Sequence, residues 1–270
     1  MKLSVLVSTL DAGIGRVGAV LLEPLADMNY FISHQVTADA YRNIPPELKR
    51  EDVIVTQIEG RGMSRNRNST LKMACSDIAL LADDDVRYKR AYFETVIEAF
   101  IADPQMDAAC FKIATPPGEP EYKEYFPHVY SLNKESHHYI SSIEIAVRLS
   151  SIRKAGITFN ERFGLGSPFV QFGEEAVFIY DCVRSGLNVK YIPEYVVEHS
   201  AVSAVKKMPV FDQSRVIFKG AYDAHRYGWK AVPAAFLDAL RLGPKLKASG
   251  KSPGTYLRER LRGAGYILHK

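Results

Sequence analysis

Three consecutive carboxylates, Asp83, Asp84 and Asp85, close the apolar run in "IALLADDDVRY". Neighbouring carboxylates repel one another unless a cation or hydrogen-bond donors offset the repulsion. At the carboxyl end of a strand, where α/β proteins bind ligands, the economical reason for such a cluster is a hard divalent metal carrying a phosphorylated substrate. An acidic, capped turn facing solvent explains the same residues without a ligand. Upstream, "GRGMSRNRNS" sets Arg65, Arg67 and Asn68 at the start of the helix that leads to the cluster. Their side chains are donors suited to a base, a ribose or a phosphate; a helix capped by Ser64 with exposed arginines is the alternative. Downstream, "FNERFGLGSPFVQFGEEAVF" joins a Gly-rich loop to paired carboxylates, Glu174 and Glu175, at a helix start. Either one is a general base while the other fixes the acceptor, or both serve the positive end of the helix. His199 ends the following strand, as a ligand or as a satisfied structural imidazole.

These groups need elements to hold them. Strands are expected at Leu3–Thr9, Tyr30–Val36, Val53–Gln57, Ile78–Ala82 and Ala108–Ile113, with helices at Val17–Ala26, Ser64–Ala74 and Ala91–Ala102 between them. That alternation predicts a mostly parallel α/β sheet with helices on both faces. Residues 115–142, rich in Pro and Tyr, read as a long excursion, and long loops in compact domains are functional or disordered. A short helix near Ser150–Ala155, a helix over Glu174–Ser185 and the strand "NVKYIPEYVVEH" follow. Gly13, Gly15 and Gly18 spell G-x-G-x-x-G after the first strand, but Asp11 and Ala12 separate the strand end from the first glycine. No acid closes the second strand, where Ser33, His34 and Gln35 stand instead, so the glycines do not form a dinucleotide cradle.

In order, "GMSRNRN", "DDD", "GEE" and "RSGLNVKYIPEYVVEH" resemble the family 2 glycosyltransferases of the GT-A fold, over roughly residues 3–200. The resemblance implies a Rossmann-like sheet and inverting transfer of a sugar from a nucleoside diphosphate, UDP above all. The acceptor would be a glycan or lipid-linked hydroxyl in cell-surface polysaccharide assembly. It implies Mg²⁺ or Mn²⁺ held by Asp85, with His199 completing the metal shell and Asp83 and Asp84 toward the nucleotide. Ser8 and Thr9 would wall the base and ribose pocket, beside Arg65, Arg67 and Asn68. Glu175 falls on the base position, where the family has Asp, and this leaves Glu174 as the competing base. "SHQ" stands where many members carry the Asp that reads uracil. A non-catalytic relative that binds the sugar nucleotide or a glycan is the rival, and metal-dependent UDP release separates the two.

Charge divides the chain. Residues 206–270 hold 14 Lys and Arg against 4 Asp and Glu, whereas residues 1–205 hold 21 against 27. The expected division is a catalytic domain over 1–205 and a basic helical extension over 206–270. The extension mixes basic, aromatic and aliphatic residues at helical spacing, as helices at an anionic membrane surface do and as ordinary packing helices also do. No nucleic-acid module accompanies the charge. The apolar runs fall short of the ~18 residues of a membrane span and no leader pattern opens the chain. A cytoplasmic protein is expected, peripheral at most on the inner membrane face. Cys75, Cys110 and Cys182 lack any C-x-x-C spacing and imply neither disulfides nor a zinc knuckle.

Overall fold

The computed structural model describes residues 1–134, 139–201 and 208–269. The chain forms two compact units, one of Met1–Phe159 with Phe178–Ala201, the other of Asn160–Val177 with Val202–Lys270. Residues 135–138 of the 115–142 excursion and the expected boundary at 205/206 lie outside the described residues.

The first unit is built on one eight-stranded sheet. Its strands are β1 (Leu3–Leu10), β2 (Met28–Val36), β3 (Val53–Glu59), β4 (Ile78–Asp83), β5 (Ala108–Ala114), β6 (Tyr130–Ser131), β7 (Ile145–Arg148) and β8 (Val189–Glu198), in the order β3-β2-β1-β4-β7-β5-β8-β6. The pairs β1–β2, β2–β3, β1–β4 and β5–β8 are parallel; β7 and β6 run antiparallel to their neighbours. β1 and β4 are almost wholly buried, as near-continuous Val, Leu and Ala demand when both faces are covered. One apolar layer joins Val5, Val7 and Leu80 to Phe93, Val96 and Phe100 of α2 (Arg90–Ala102). The other joins Leu6, Phe31 and Leu81 to Leu71 of α1 (Met63–Met73), Ile152 of α3 (Leu149–Ala155) and Phe178 of α4 (Glu174–Arg184).

Two elements depart from expectation. No α-helix covers Val17–Ala26: a 3₁₀ segment runs over Asp11–Val20, because three glycines weaken the helix and Pro24 lies just beyond it. Between β4 and β5 sits β7, a four-residue strand directly ahead of α3, and its short apolar run merges in sequence with that helix.

The Tyr-rich excursion is docked on β5 and β8. The Tyr125 hydroxyl accepts from Ile113 N (2.8 Å), Tyr191 OH donates to Phe126 O (3.0 Å), and Tyr130 stacks on Tyr191 at 4.9 Å. At its end Glu144 is buried, with Lys123 Nζ 2.6 Å from Oε1 and no hydrogen-bond partner on Oε2. Burial pushes the Glu144 carboxyl up from 4.5 to about 7, against the opposing pull of Lys123. Between those values the folded chain keeps a proton that the unfolded chain has lost. This contribution to stability is therefore full below about pH 4.5 and is lost as pH rises through about 7. Lys123→Met is expected to lower the urea midpoint more at about pH 8 than at about pH 5.5, since only the ionised carboxylate needs the cation. Equal losses at both pH values would assign the effect to packing.

The second unit is mainly helical: α5 (Gln213–Tyr227), α6 (Ala231–Arg241), α7 (Gly243–Ala248) and α8 (Pro253–Leu268). α5 and α8 meet backbone to backbone. A Cβ on Gly220 would lie 2.0 Å from Arg260 O, and one on Gly263 would lie 2.0 Å from Ile217 O. Arg260 is wholly buried beside this junction, donating to Asp238 (2.8 Å), Tyr256 OH (2.9 Å) and Asp223 (2.6 Å).

Candidate nucleotide-sugar site

The three aspartates diverge, each toward a different partner. Asp83 is the last residue of β4, in register with Ser8, which is in register with Ser33, so the three share one face at the carboxyl ends of adjacent strands. Arg67, 4% exposed, donates to Asp83 Oδ1 (3.1 Å) and to Ser142 Oγ (2.7 Å). A buried guanidinium thus fixes Asp83, and Ser142, which sequence reading missed, completes the clasp. Ser8 Oγ and Ser33 Oγ are buried beside it without hydrogen-bond partners.

Asp84 turns toward the loop after β1, where it accepts from Thr9 Oγ1 (2.5 Å) and Arg16 Nη2 (2.6 Å). A Cβ on Gly13 would sit 2.2 Å from Asp84 Oδ2 and 2.5 Å from Thr9 Oγ1. The first glycine of G-x-G-x-x-G therefore makes room for this clasp. Gly15 faces open space.

Asp85 is half exposed, with His199 Nε2 3.5 Å from its Oδ1. His199 Nδ1 lies 2.8 Å from Ser200 O. A carbonyl only accepts, so Nδ1 carries a proton; when the ring is neutral its Nε2 lone pair faces Asp85, and when it is protonated Nε2 donates to it. Two electron-rich atoms facing each other call for a proton or a cation between them. The His199 contact holds the Asp85 carboxyl below its usual value, and Asp85 in turn raises His199. The ring is fixed from behind: His199 N bonds Ala114 O (3.0 Å), and Glu119 accepts from Ser200 Oγ (2.9 Å) and Ala201 N (2.6 Å).

Among the described residues no three His, Cys, Asp or Glu side chains converge into a ready metal site. Asp85 and His199 nonetheless fit Mg²⁺ or Mn²⁺ as a two-donor site, because such ions commonly take their remaining oxygens from substrate phosphates and water.

The segment leading into α1 is held by its own donors. Gln35 clasps Gly62 at both N (3.2 Å) and O (3.0 Å), Arg65 donates to Glu59 O (2.8 Å), and Asn66 to Thr9 O (3.0 Å). Asn68 donates to Phe159 O (2.9 Å) and accepts from Phe159 N (2.7 Å). Arg65, Arg67 and Asn68 thus tie this segment to Glu59, Asp83, Ser142 and Phe159. His34 is buried, its Nε2 on Asp11 O (2.8 Å) and its Nδ1 facing Gln57 Nε2 (3.2 Å). Asp11, in the sequence only a spacer ahead of Gly13, has a structural role. It adopts φ +50° and accepts from Thr37 N (2.8 Å) and Thr37 Oγ1 (2.9 Å) at the end of β2. Burial raises its pKa, but the Thr37 donors and Arg61 outweigh that and leave it lowered. Its place directly after an apolar strand, and the tolerance of Asp for left-handed backbone, are the signals the sequence holds.

In the second unit, Glu174 and Glu175 open α4, where carboxylates suit the helix dipole. They differ in setting. Glu174 is buried against the Gly164 backbone, where φ is +96° and a Cβ would lie 2.8 Å from Glu174 Oε2. Glu175 is only partly covered. The "FGLG" loop closes on itself, with Gly164 N on Val170 O (2.9 Å) and Ser167 Oγ on Val170 O (2.7 Å).

No protein-family model and no curated protein sequence matches the chain. Solved structures do. S. aureus TarS in complex with UDP superposes with a TM-score of 0.60 at 17% identity, over 100% of this chain and 92% of that one. TarS with UDP-GlcNAc gives 0.56 at 14%, over 98% and 73%. The mannosyltransferase PcManGT from Pyrobaculum calidifontis, with GDP-Man and Mn²⁺, gives 0.53 at 15%, over 99% and 70%. The chain shares the α/β fold of these glycosyltransferases, a central eight-stranded sheet flanked by helices.

Proposed function

We propose that the chain is an inverting glycosyltransferase of the family 2 type, moving a sugar from a nucleoside-diphosphate donor, UDP first, to a hydroxyl of a glycan or lipid-linked acceptor. The observation that carries this reading is the Asp85–His199 pair at the carboxyl ends of the sheet strands, two donor atoms 3.5 Å apart. Asp85 and His199 would hold Mg²⁺ or Mn²⁺, and the ion would supply positive charge for the departing diphosphate. Asp83, oriented by Arg67 and Ser142, faces the ribose side, with Ser8 and Thr9 in the wall. Asp84 and Arg16 hold the loop after β1 in place, and Arg65 and Asn68 hold the far wall. Glu175 accepts the acceptor hydroxyl proton as that oxygen bonds to the anomeric carbon and the bond from that carbon to the diphosphate oxygen breaks.

UDP or a UDP-sugar with Mn²⁺ is expected to raise the melting temperature, by about 2.7 kcal/mol of added stability at roughly 100 times Kd. Asp85→Asn is expected to fold and to lose the Mn²⁺-dependent part of that shift. An Asp85→Asn protein that responds to UDP and Mn²⁺ as the wild type does would remove the metal assignment. Absence of any nucleotide response in the wild type would remove the donor class.

A further inference from the structure

We infer that the outward face of α6 is an interfacial anchor that docks the chain on an anionic lipid bilayer. The helix is turned inside out for a surface that meets only water. It buries Ala231, Ala235 and Ala239, four residues apart, yet leaves Phe236, Leu237 and Leu240 49%, 67% and 78% exposed, with Trp229 64% exposed just ahead of them. Burial favours an apolar side chain in proportion to its area, so a helix that covers alanines and bares leucines keeps its larger face for another apolar surface. Trp229, Pro233, Phe236, Leu237 and Leu240 recur at the spacing of one helical stripe, and Pro244 continues it on α7.

The charge around this stripe selects the occupant. Lys230, Arg241, Lys245 and Lys247 are exposed along the same helical stretch. Asp238 is the only acid between residues 229 and 250, and Arg260 holds it inward at 2.8 Å. A large apolar stripe with an aromatic end and a uniformly basic border matches the acyl boundary and headgroups of anionic lipid. A second copy of this chain would bring basic border against basic border, which opposes self-association. The anchor is independent of the reaction proposed above.

Trp229 is the only tryptophan of the chain, so its emission reports on this face alone. The full chain is mixed with vesicles of phosphatidylcholine containing phosphatidylglycerol. The expected result is a blue shift of Trp229 emission with co-flotation of the protein. Pure phosphatidylcholine is expected to give neither, and high salt to weaken both. Leu237→Glu with Leu240→Glu, and separately Lys245→Glu with Lys247→Glu, are each expected to lower partitioning about tenfold or more. Both pairs alter exposed side chains, and an unchanged melting temperature checks the fold. Unshifted emission without flotation overturns the inference. So does flotation that survives both double substitutions, or a lipid-free blue shift that grows with protein concentration, the mark of a second copy on this face.

Discussion

Glu175→Gln is expected to slow sugar transfer by about 10²–10⁴-fold while leaving the Mn²⁺-dependent UDP response intact. A general base acts only on the acceptor proton, so its loss falls on kcat and spares the donor. The two glutamates of α4 are separable because their surroundings differ. Glu174 is buried against the backbone of Gly164, whereas Glu175 is only partly covered. Glu174→Gln is therefore expected to appear first as lost stability, with transfer falling in step with the folded fraction. Glu175→Asp shortens the reach by one methylene and is expected to be nearly as damaging as Gln, because proton transfer needs close approach. The measurement is initial rate of UDP release with saturating donor, beside the melting temperature of each variant. A Glu175→Gln protein that keeps most of its rate while Glu174→Gln loses it, though folded, transfers the base to Glu174. If neither matters, inversion by a carboxylate base on α4 is wrong.

Arg260→Met is expected to destabilise the helical unit by about 3–5 kcal/mol, because it leaves carboxylates buried without their cation. The guanidinium has no exposed surface and joins Asp223 of α5, Asp238 of α6 and Tyr256 of its own helix. Lys219, 3.1 Å from Asp223 and 3.9 Å from Asp238, softens the loss without replacing it. The combination of Arg260→Met with Asp223→Asn and Asp238→Asn is expected to cost less than Arg260→Met alone, since the triple change removes the stranded charges together with their partner. Urea unfolding of the wild type, Arg260→Met, Asp223→Asn with Asp238→Asn, and the triple variant tests this. A loss below about 1 kcal/mol for Arg260→Met, or strict additivity, would mean that the cluster is effectively solvated.

The sheet was largely legible. Runs such as "LSVLVSTL" and "IALLA" can be little else in a chain that alternates them with helical stretches, and the aspartates at the end of β4 followed from one of them. Two kinds of information were not there. Adjacent residues carry no sign of where their side chains turn, so "DDD" reads as one cluster although its members face Arg67, Arg16 and His199, all distant in sequence. An amphipathic period likewise shows that a helix has two faces without saying which is inside. The tail reads as basic and amphipathic, but only packing reveals that Arg260 is core and that Leu237 and Leu240 are surface.

The paired glycines of α5 and α8 set the two helices to one axial position. Each carbonyl rests where the other helix has no side chain, and a Cβ at either glycine would run into the opposite backbone. The junction works as a detent: the two helices engage at the one setting in which each glycine faces the other helix's carbonyl.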